Sequence, residues 1–160
     1  MGIEIERKFL VRDDSWRVAA APGTPIRQGY LTGAEALASV RVRREGDRGW
    51  LTVKGPGGIA RAEYDYAIPA AEAEEMLAAF CGAVLAKRRH AVGYAGLDWT
   101  VDVFEGALAG LVLAEVELRS PDQPVVLPPW AGQEVTDDPA YRNNTLVLRV
   151  AEAPALKDRT

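Results

Sequence analysis

The sequence predicts an α+β, mainly β domain whose strands are largely antiparallel. About eight segments alternate ionisable and apolar side chains with the two-residue period of a strand, which places the two kinds on opposite faces. Most of these segments are joined by short turns, and short turns connect antiparallel neighbours. Only one segment, beginning at Pro69, shows a convincing helical pattern. Together these observations favour a single sheet accompanied by a few surface helices.

The first strand, residues 3–9, carries its acidic side chains and its lysine on one face. Glu4, Glu6 and Lys8 point the same way, because side chains alternate along a strand. The polar side of an amphipathic edge strand would show this pattern. So would a site in which the two carboxylates hold a hard divalent cation while the lysine meets an adjacent anion. The remaining strands distinguish between these two interpretations.

Seven further strands follow along the chain. They are predicted at residues 26–31, 39–44, 50–54, 60–68, 84–94, 99–104 and 111–118. Gly46 and Asp47 suit a hairpin turn between the strands at 39–44 and 50–54. Residues 55–58, Gly-Pro-Gly-Gly, form another turn, since they lack the spacing and the Lys-Ser/Thr pair of a phosphate-binding loop.

Helical segments are predicted at three places. Asp13 and its neighbours can cap a short turn around Trp16, and the longest helix begins at Pro69. Two aspartates before Pro139 can open a helix that runs to Asn144, which residues 145–150 either continue or follow with a last strand. The last ten residues are expected to be frayed. With no repeat or linker visible, we interpret residues 1–160 as one domain.

The ionisable faces of the strands carry both signs of charge, largely segregated by strand. The cations are Lys8, Arg41, Arg43, Lys54, Arg61, Lys87 and Arg89, and the anions are Glu4, Glu6, Glu63, Asp65, Asp102, Glu115 and Glu117. Like charges two residues apart repel on an open sheet, and about eight strands can close into a barrel. Closed with the charged face inward, the sheet makes a tunnel whose apolar exterior must be covered by helices, loops or a partner. Arginine suits phosphate oxygens and paired glutamates suit Mg²⁺ or Mn²⁺, so a polyanion and divalent cations are the expected contents.

The composition of the chain limits the partners and the cellular location that it can be expected to have. The chain has 160 residues, a net charge of −4 and a single cysteine, Cys81. The negative charge argues against nucleic acid as a partner, and no apolar run approaches the length of a membrane span. The lone cysteine and the acidic N-terminal segment predict a cytoplasmic protein without disulfides. We expect a monomer or a homodimer that acts on a small molecule.

The motifs resemble those of a known family. Residues 4–8, Glu-Ile-Glu-Arg-Lys, match the Glu-x-Glu-x-Lys signature of the triphosphate tunnel metalloenzymes, also called CYTH domains. The match continues in order through Arg41-Val42-Arg43, Thr52-Val53-Lys54, Arg61-Ala62-Glu63, Lys87-Arg88-Arg89, Val101-Asp102-Val103-Phe104 and Glu115-Val116-Glu117. The tail, with Pro128-Pro129-Trp130, Glu134-Val135-Thr136 and Tyr141-Arg142-Asn143, is similar to that of short bacterial members.

The resemblance implies an eight-stranded antiparallel tunnel that binds a triphosphate group with Mg²⁺ or Mn²⁺. It implies that Glu4, Glu6, Glu115 and Glu117 hold metal, with Asp102 and Glu63 as second-rank candidates. It implies that Lys8, Arg41, Arg43, Lys54, Lys87 and Arg89 bind the phosphates, with Arg61 as a less certain member. Glu4, Glu6, Lys8 and Glu117 are the expected catalytic residues. Tyr30 is a further candidate if its face lines the tunnel, and Arg142 is another because Asn144 stands where short members often carry a basic residue.

The expected activity is hydrolysis of inorganic triphosphate to pyrophosphate and phosphate. The same family includes class IV-type adenylate cyclases, thiamine triphosphatases and nucleoside triphosphatases, so these stay open as alternatives. A module that binds polyphosphate without cleaving it is an alternative of another class. The two carboxylate pairs favour catalysis, because binding an anion alone would not need four acids. His90 has the opposite parity to Lys87 and Arg89 and is expected to face outward, and the four tryptophans are expected to pack in the core.

Overall fold

The computed structural model describes residues 2–157, and within that range nine strands and two α-helices form. The strands are β1 Gly2–Val11, β2 Thr24–Tyr30, β3 Ser39–Glu45, β4 Arg48–Lys54, β5 Ala60–Ile68, β6 Leu85–Tyr94, β7 Leu97–Phe104, β8 Val112–Glu117 and β9 Ala131–Glu134. The helices are α1 Ala70–Phe80 and α2 Asn143–Lys157. All eight predicted strands are present as β1–β8, because their alternating patterns and turn residues mark them locally.

In the part of the chain that the structure describes, eight of these strands close into an antiparallel barrel, as predicted. Their order around the barrel is β5-β4-β3-β2-β6-β7-β8-β1, and β1 returns to β5 through pairing of Gly2–Ile5 with Ala60–Glu63. The β3–β4 hairpin turns at Gly46, whose φ of 57° lies in the left-handed region that glycine adopts readily. Because the sheet is closed, the inner faces of all eight strands point into one shared interior.

The ninth strand, β9, was not predicted. It pairs with the second half of β1, where Val11 lies opposite Ala131, while the first half of β1 pairs with β5. β9 is only four residues long and follows Pro128 and Pro129, so turn signals dominate its local sequence. Its pairing depends on the free edge that β1 offers beyond the end of β5.

The helices largely follow the predictions. Asp13 caps a short 3₁₀ helix, Asp14–Ala19, by accepting a hydrogen bond from the Ser15 amide. The region opened by Asp138 divides into a 3₁₀ turn and α2, so residues 145–150 continue the helix. α2 extends to Lys157 and residues 158–160 lie outside the described residues, so the fraying expected of the last ten residues stays a prediction. No helix among the described residues is long and apolar enough to cross a membrane.

Aromatic and aliphatic side chains cover much of the outer face of the barrel. Trp99 on β7 packs against Phe9 and Trp130, with ring centroids 5.6 and 5.5 Å away, and Trp16 belongs to the same buried cluster. On the other side, Leu77 of α1 packs with Val42 of β3. A barrel whose charged face points inward has an apolar exterior, and these clusters shield that exterior from water. The three tryptophans thus have the core positions expected of them.

One end of the barrel is closed in part by an apolar plug. The inward-facing positions of β6, β7 and β8 change there from charged residues to Leu85, Phe104 and Leu113. Leu146 and Val147 of α2 pack onto these residues. The plug anchors the start of α2 beside the interior and leaves the opposite side of the same end open.

Candidate functional site

A polar passage runs through the barrel and opens at both ends. One cavity of about 340 Å³ opens at the end formed by residues 36–39, the β4–β5 loop at 55–59 and residues 136–144, here called the first mouth. A second cavity of about 610 Å³ opens at the opposite end, beside the β6–β7 turn and residues 118–123, here called the second mouth. Glu4, Glu6, Arg41 and Lys54 line both cavities, so the two meet in the middle of the barrel.

The predicted inward parity is confirmed by side-chain contacts across the interior. The predicted site residues that line one or both cavities are Glu4, Glu6, Lys8, Tyr30, Arg41, Arg43, Lys54, Arg61, Glu63, Arg89, Glu115, Glu117 and Arg142. Lys87 and Asp102 are exceptions: they face inward but are only 1% and 2% exposed and do not reach either cavity surface. Arg88 and His90 point outward, and His90 packs edge-on against Trp16.

A first ion cluster joins β1 to β4 and β5. The Lys54 Nζ donates to both oxygens of Glu4, at 2.7 and 2.8 Å, and lies 2.7 Å from Glu63 Oε2. Arg61 Nε donates to Glu4 at 3.1 Å. Burial opposes ionisation of Glu4, but Lys54, the hydrogen bond with Glu63 and Arg61 together outweigh burial and lower the pKa of Glu4 to about 2. Burial and the neighbouring Glu4 raise the pKa of Glu63 instead.

A second ion cluster joins β1, β6, β7 and β8. The Lys8 Nζ lies 3.0 Å from Glu115 Oε1, and Arg89 Nη2 lies 3.3 Å from Glu115 Oε2. Asp102 accepts two 2.7 Å hydrogen bonds from Arg89 in a forked arrangement and one of 2.6 Å from Lys87. Burial penalises the Glu115 carboxylate, but Lys8 and Arg89 hold its pKa far below its usual range. Burial lowers the pKa of Lys87 to about 8 despite Asp102.

Glu6 and Glu117 form the least compensated pair of carboxylates in the passage. They lie directly opposite each other on β1 and β8, and the cation within 4 Å of Glu6 among the described residues is Arg61, at 3.8 Å. Burial, and then Glu115 and Glu4, raise the pKa of Glu6 to about 7. Excess negative charge on hard oxygen donors is the condition that a divalent cation relieves.

The carboxylates predicted to hold metal are therefore chemically suited to a hard divalent cation. Some of their oxygens, however, are paired with lysine and arginine side chains of the protein itself. Lys54 and Arg61 hold Glu4, while Lys8 and Arg89 hold Glu115. Within the described residues, no three acidic, histidine or cysteine side chains converge into a ready-made metal site. A divalent cation would have to displace these ammonium and guanidinium groups, which the sequence could not show.

Two arginines of β3 have unmet hydrogen-bonding capacity. The Nε atoms of Arg41 and Arg43 are buried and make no hydrogen bond among the described residues, although Arg43 Nε lies 3.6 Å from Glu45 Oε2. Arg41 Nη2 donates to Thr52 at 3.3 Å. Burial, reinforced by the nearby Arg41, lowers the pKa of Arg43. Buried cationic donors that repel each other favour an anion between them.

Tyr30 and Arg142 lie where their candidate roles require. Both line the first mouth, and so does Asn144. Burial raises the pKa of the Tyr30 hydroxyl, although Arg41 opposes the shift. Arg142 is exposed at the edge of the mouth, at the junction of the 3₁₀ turn and α2.

Sequence reasoning gave no site role to several polar residues in or beside the passage. Thr52, fully buried, donates to Asp65 and accepts from Arg41, so it connects the basic and acidic walls. Gln28 faces inward, is 1% exposed and has no partner for either amide atom among the described residues. Arg119 and Asp98 line the second mouth. Strand parity with Lys54 was the available signal for Thr52, and parity with Tyr30 was the signal for Gln28; the positions of Arg119 and Asp98 depend on which segments meet at the second mouth.

Comparisons with known proteins agree with this geometry. The family model described as the CYTH domain matches residues 2–149. The chain is 47% identical over 151 residues to a protein of Acetivibrio thermocellus named inorganic triphosphatase, with 92% of this chain and 94% of the relative covered. It is 38% identical over 150 residues to a protein of Nitrosomonas europaea with the same name, covering 92% and 98%. A crystal structure of an inorganic triphosphatase superposes with a TM-score of 0.67 at 37% identity, covering 92% of this chain and 96% of that one.

Proposed function

The chain belongs to the CYTH domain family, and from this premise we propose that it is a hydrolase that cleaves inorganic triphosphate into pyrophosphate and phosphate. The curated relatives at 47% and 38% identity are named for this activity and are covered over nearly their full length. The observation in the structure that carries the proposal is the passage itself, where the buried Arg41 Nε has no hydrogen-bond partner among the described residues and Glu6 and Glu117 are the least compensated carboxylates. A polyphosphate with a divalent cation would satisfy both at once.

The basic side chains bind the substrate in this proposal. Arg41 offers a buried Nε donor that makes no hydrogen bond among the described residues, and Arg43, Lys54, Arg61, Lys8 and Arg89 line the same passage. Held by strands of a closed barrel, these groups are arranged before the substrate arrives, so little reorganisation is needed as charge develops on the phosphates. Lys87 is the predicted ligand that departs from this arrangement, because its ammonium group is buried against Asp102.

Metal and substrate binding are linked through shared ion pairs. A proposed phosphate ligand is paired with a proposed metal ligand in five contacts: Lys54–Glu4, Arg61–Glu4, Arg61–Glu6, Lys8–Glu115 and Arg89–Glu115. Releasing one partner alone would leave the other buried and unpaired, which is costly. If phosphate and a divalent metal bind together, each released lysine or arginine pairs with phosphate and each released carboxylate pairs with metal.

Glu4, Glu6, Glu115 and Glu117 are the proposed metal ligands. A bound Mg²⁺ or Mn²⁺ would neutralise phosphate charge and lower the pKa of a bound water. Glu6 and Glu117 provide the cross-strand oxygens that the cations of the chain hold least firmly. Lys8, whose Nζ lies 3.0 Å from Glu115 and donates to the Tyr141 carbonyl oxygen, is the proposed catalytic cation. Asp102 and Glu63 stay second-rank candidates, and the Asp102 oxygens are occupied by Arg89 and Lys87.

A second candidate function is hydrolysis of an organic triphosphate. An apolar cavity of about 340 Å³ adjoins the first mouth, lined by Val147, Leu148 and the 32–36 loop, and shares Tyr30 and Asn144 with it. A base or a thiazole ring attached to the phosphate chain could lie there. Among the described residues that line it, Tyr30 is the one aromatic side chain and no pair is available to stack a ring, so we rank this substrate class below inorganic triphosphate.

A substrate panel tests the proposal. We expect kcat/KM at one fixed Mg²⁺ or Mn²⁺ concentration to be highest for inorganic triphosphate and lower for ATP and thiamine triphosphate. Pyrophosphate should be a poor substrate, because a diphosphate leaves some of the buried cations without partners. A preference for thiamine triphosphate, or for ATP with cyclic AMP as product, would replace the proposal with that alternative. Binding without turnover of any of them would identify a polyphosphate-binding module. Cytoplasmic location and a monomeric or homodimeric state stay predictions.

A further inference from the structure

The two mouths of the passage differ in the sign of their charge. Among the residues that line only the first mouth, the charged ones are Lys8, Arg61, Arg142 and Asp137. Among those that line only the second mouth, the charged ones are Arg43, Arg89, Arg119, Glu63, Asp65, Asp98, Glu115 and Glu117. Cations are therefore in excess at the first mouth and acids at the second. Because like charges within a narrow, low-dielectric passage are weakly screened, this difference favours one direction of approach for a polyanion.

Arg142 is the outermost cation of the first mouth, and its backbone is held firmly. Its amide donates to the Pro139 carbonyl, and its own carbonyl accepts a 2.9 Å hydrogen bond from the Leu146 amide. Leu146 is fully buried in the apolar plug, so the position of Arg142 is fixed by the fold. The guanidinium group is exposed and makes no salt bridge or side-chain hydrogen bond within the described residues. It is thus available to an anion that approaches from solvent.

The second mouth lacks this arrangement. Its outermost cation is Arg119, and three acids, Asp98, Asp65 and Glu117, line the same mouth. A triphosphate approaching from this side would meet those carboxylates before it reached Arg43 or the buried Arg41. The acidic lining instead attracts cations.

Resting on the proposed function, we propose that polyphosphate enters the barrel through the first mouth, with Arg142 as the capturing residue, and that the second mouth rejects it. In this arrangement Arg142 acts on the rate of association, and the residues deeper in the passage act on the chemical step. The chemical class that the first mouth selects is a small polyanion with two or more phosphate groups.

Charge reversal at each mouth tests the direction. Arg142→Glu is compared with the matched control Arg119→Glu, which makes the same change of charge at the other end. Steady-state kinetics with triphosphate at saturating metal are measured at ionic strengths of about 0.01 M and about 1 M, where the Debye length is about 30 Å and about 3 Å. We expect Arg142→Glu to lower kcat/KM by about tenfold at low ionic strength, with a smaller change in kcat, and the loss to shrink at high ionic strength. Arg119→Glu should change kcat/KM by no more than about twofold.

Each other outcome contradicts the proposal in a recognisable way. A larger loss in Arg119→Glu would mean that substrate enters through the second mouth, and equal losses would mean that both mouths admit it. No loss in either variant, or a loss in Arg142→Glu that persists at high salt, would exclude electrostatic capture by Arg142. If the wild-type protein does not turn over triphosphate, the proposed function fails. The direction is then tested by the rate at which triphosphate quenches intrinsic tryptophan fluorescence or, failing a signal, by its binding rate on immobilised protein.

Discussion

Replacing Arg41 with methionine should separate activity from stability. Arg41 is 6% exposed, lines both cavities and has a buried Nε without a partner in the described part of the chain, so its side chain is held ready for an anion rather than for the fold. Hydrogen bonds to charged groups contribute about 1.5–3 kcal/mol each, and a guanidinium can make two to a phosphate. Loss of two such bonds, about 3–6 kcal/mol together, predicts a fall in kcat/KM for triphosphate of at least about 100-fold.

The stability of the same variant should not fall in proportion. The Arg43 pKa is lowered by burial and by Arg41, which shows that the two guanidinium groups repel each other. Methionine keeps much of the aliphatic volume of Arg41 and removes that repulsion, at the cost of one 3.3 Å hydrogen bond to Thr52. We therefore expect the melting temperature of the substrate-free variant to equal or exceed that of the wild type.

The matched control is Arg88→Met on the outer face of β6. Arg88 carries the same charge, pairs with Glu105 at 3.6 Å and does not contact either cavity. It should keep kcat/KM within about twofold of the wild type, as exposed ion pairs contribute little. Equal losses in both variants would refute the assignment of faces. A large drop in the melting temperature of Arg41→Met would show that Arg41 is a structural residue.

Two further predictions concern the carboxylates. Glu117→Gln and Glu4→Gln should each abolish most turnover with the fold intact, because each removes charge from the proposed metal site with little change in shape. Turnover at saturating Mg²⁺ and the circular dichroism spectrum are measured for each variant. A near wild-type rate with an unchanged spectrum would remove that residue from the site. In metal-free protein the pKa of Glu6 is raised from 4.5 to about 7, first by burial, so the folded state binds this proton more tightly than the unfolded chain does. The contribution of Glu6 to stability is therefore present below pH 4.5 and is lost as the pH rises through 7, and Glu6→Gln should flatten the decline in melting temperature across that range. Melting curves with a chelator at about pH 5 and about pH 8 measure this, and an unchanged slope in Glu6→Gln would contradict it.

Much of the site was predictable because strand alternation is a local property. The face of Glu4, Glu6 and Lys8, or the outward direction of His90, follows from the two-residue period whichever strands lie alongside. The segregation of like charges by strand indicated a confined interior, and the structure places those faces together inside a closed barrel. The hairpin glycine and the Asp13 cap were equally local, since turn and cap chemistry involve only a few consecutive residues.

Other features depend on partners distant in the sequence, and they became visible once the chain was folded. The pairing of Lys54 with Glu4 spans 50 residues and that of Lys8 with Glu115 spans 107, so these contacts follow from barrel closure and register. The same closure buries Lys87 with Asp102 beside the plug, creates β9 on the free edge of β1, and assigns an excess of cations to one mouth and of acids to the other. Which side chains face inward can be read from the order of residues, because direction alternates residue by residue along each strand. Which charges meet there was left to the folded chain, because electrostatic partners are chosen by distance in space.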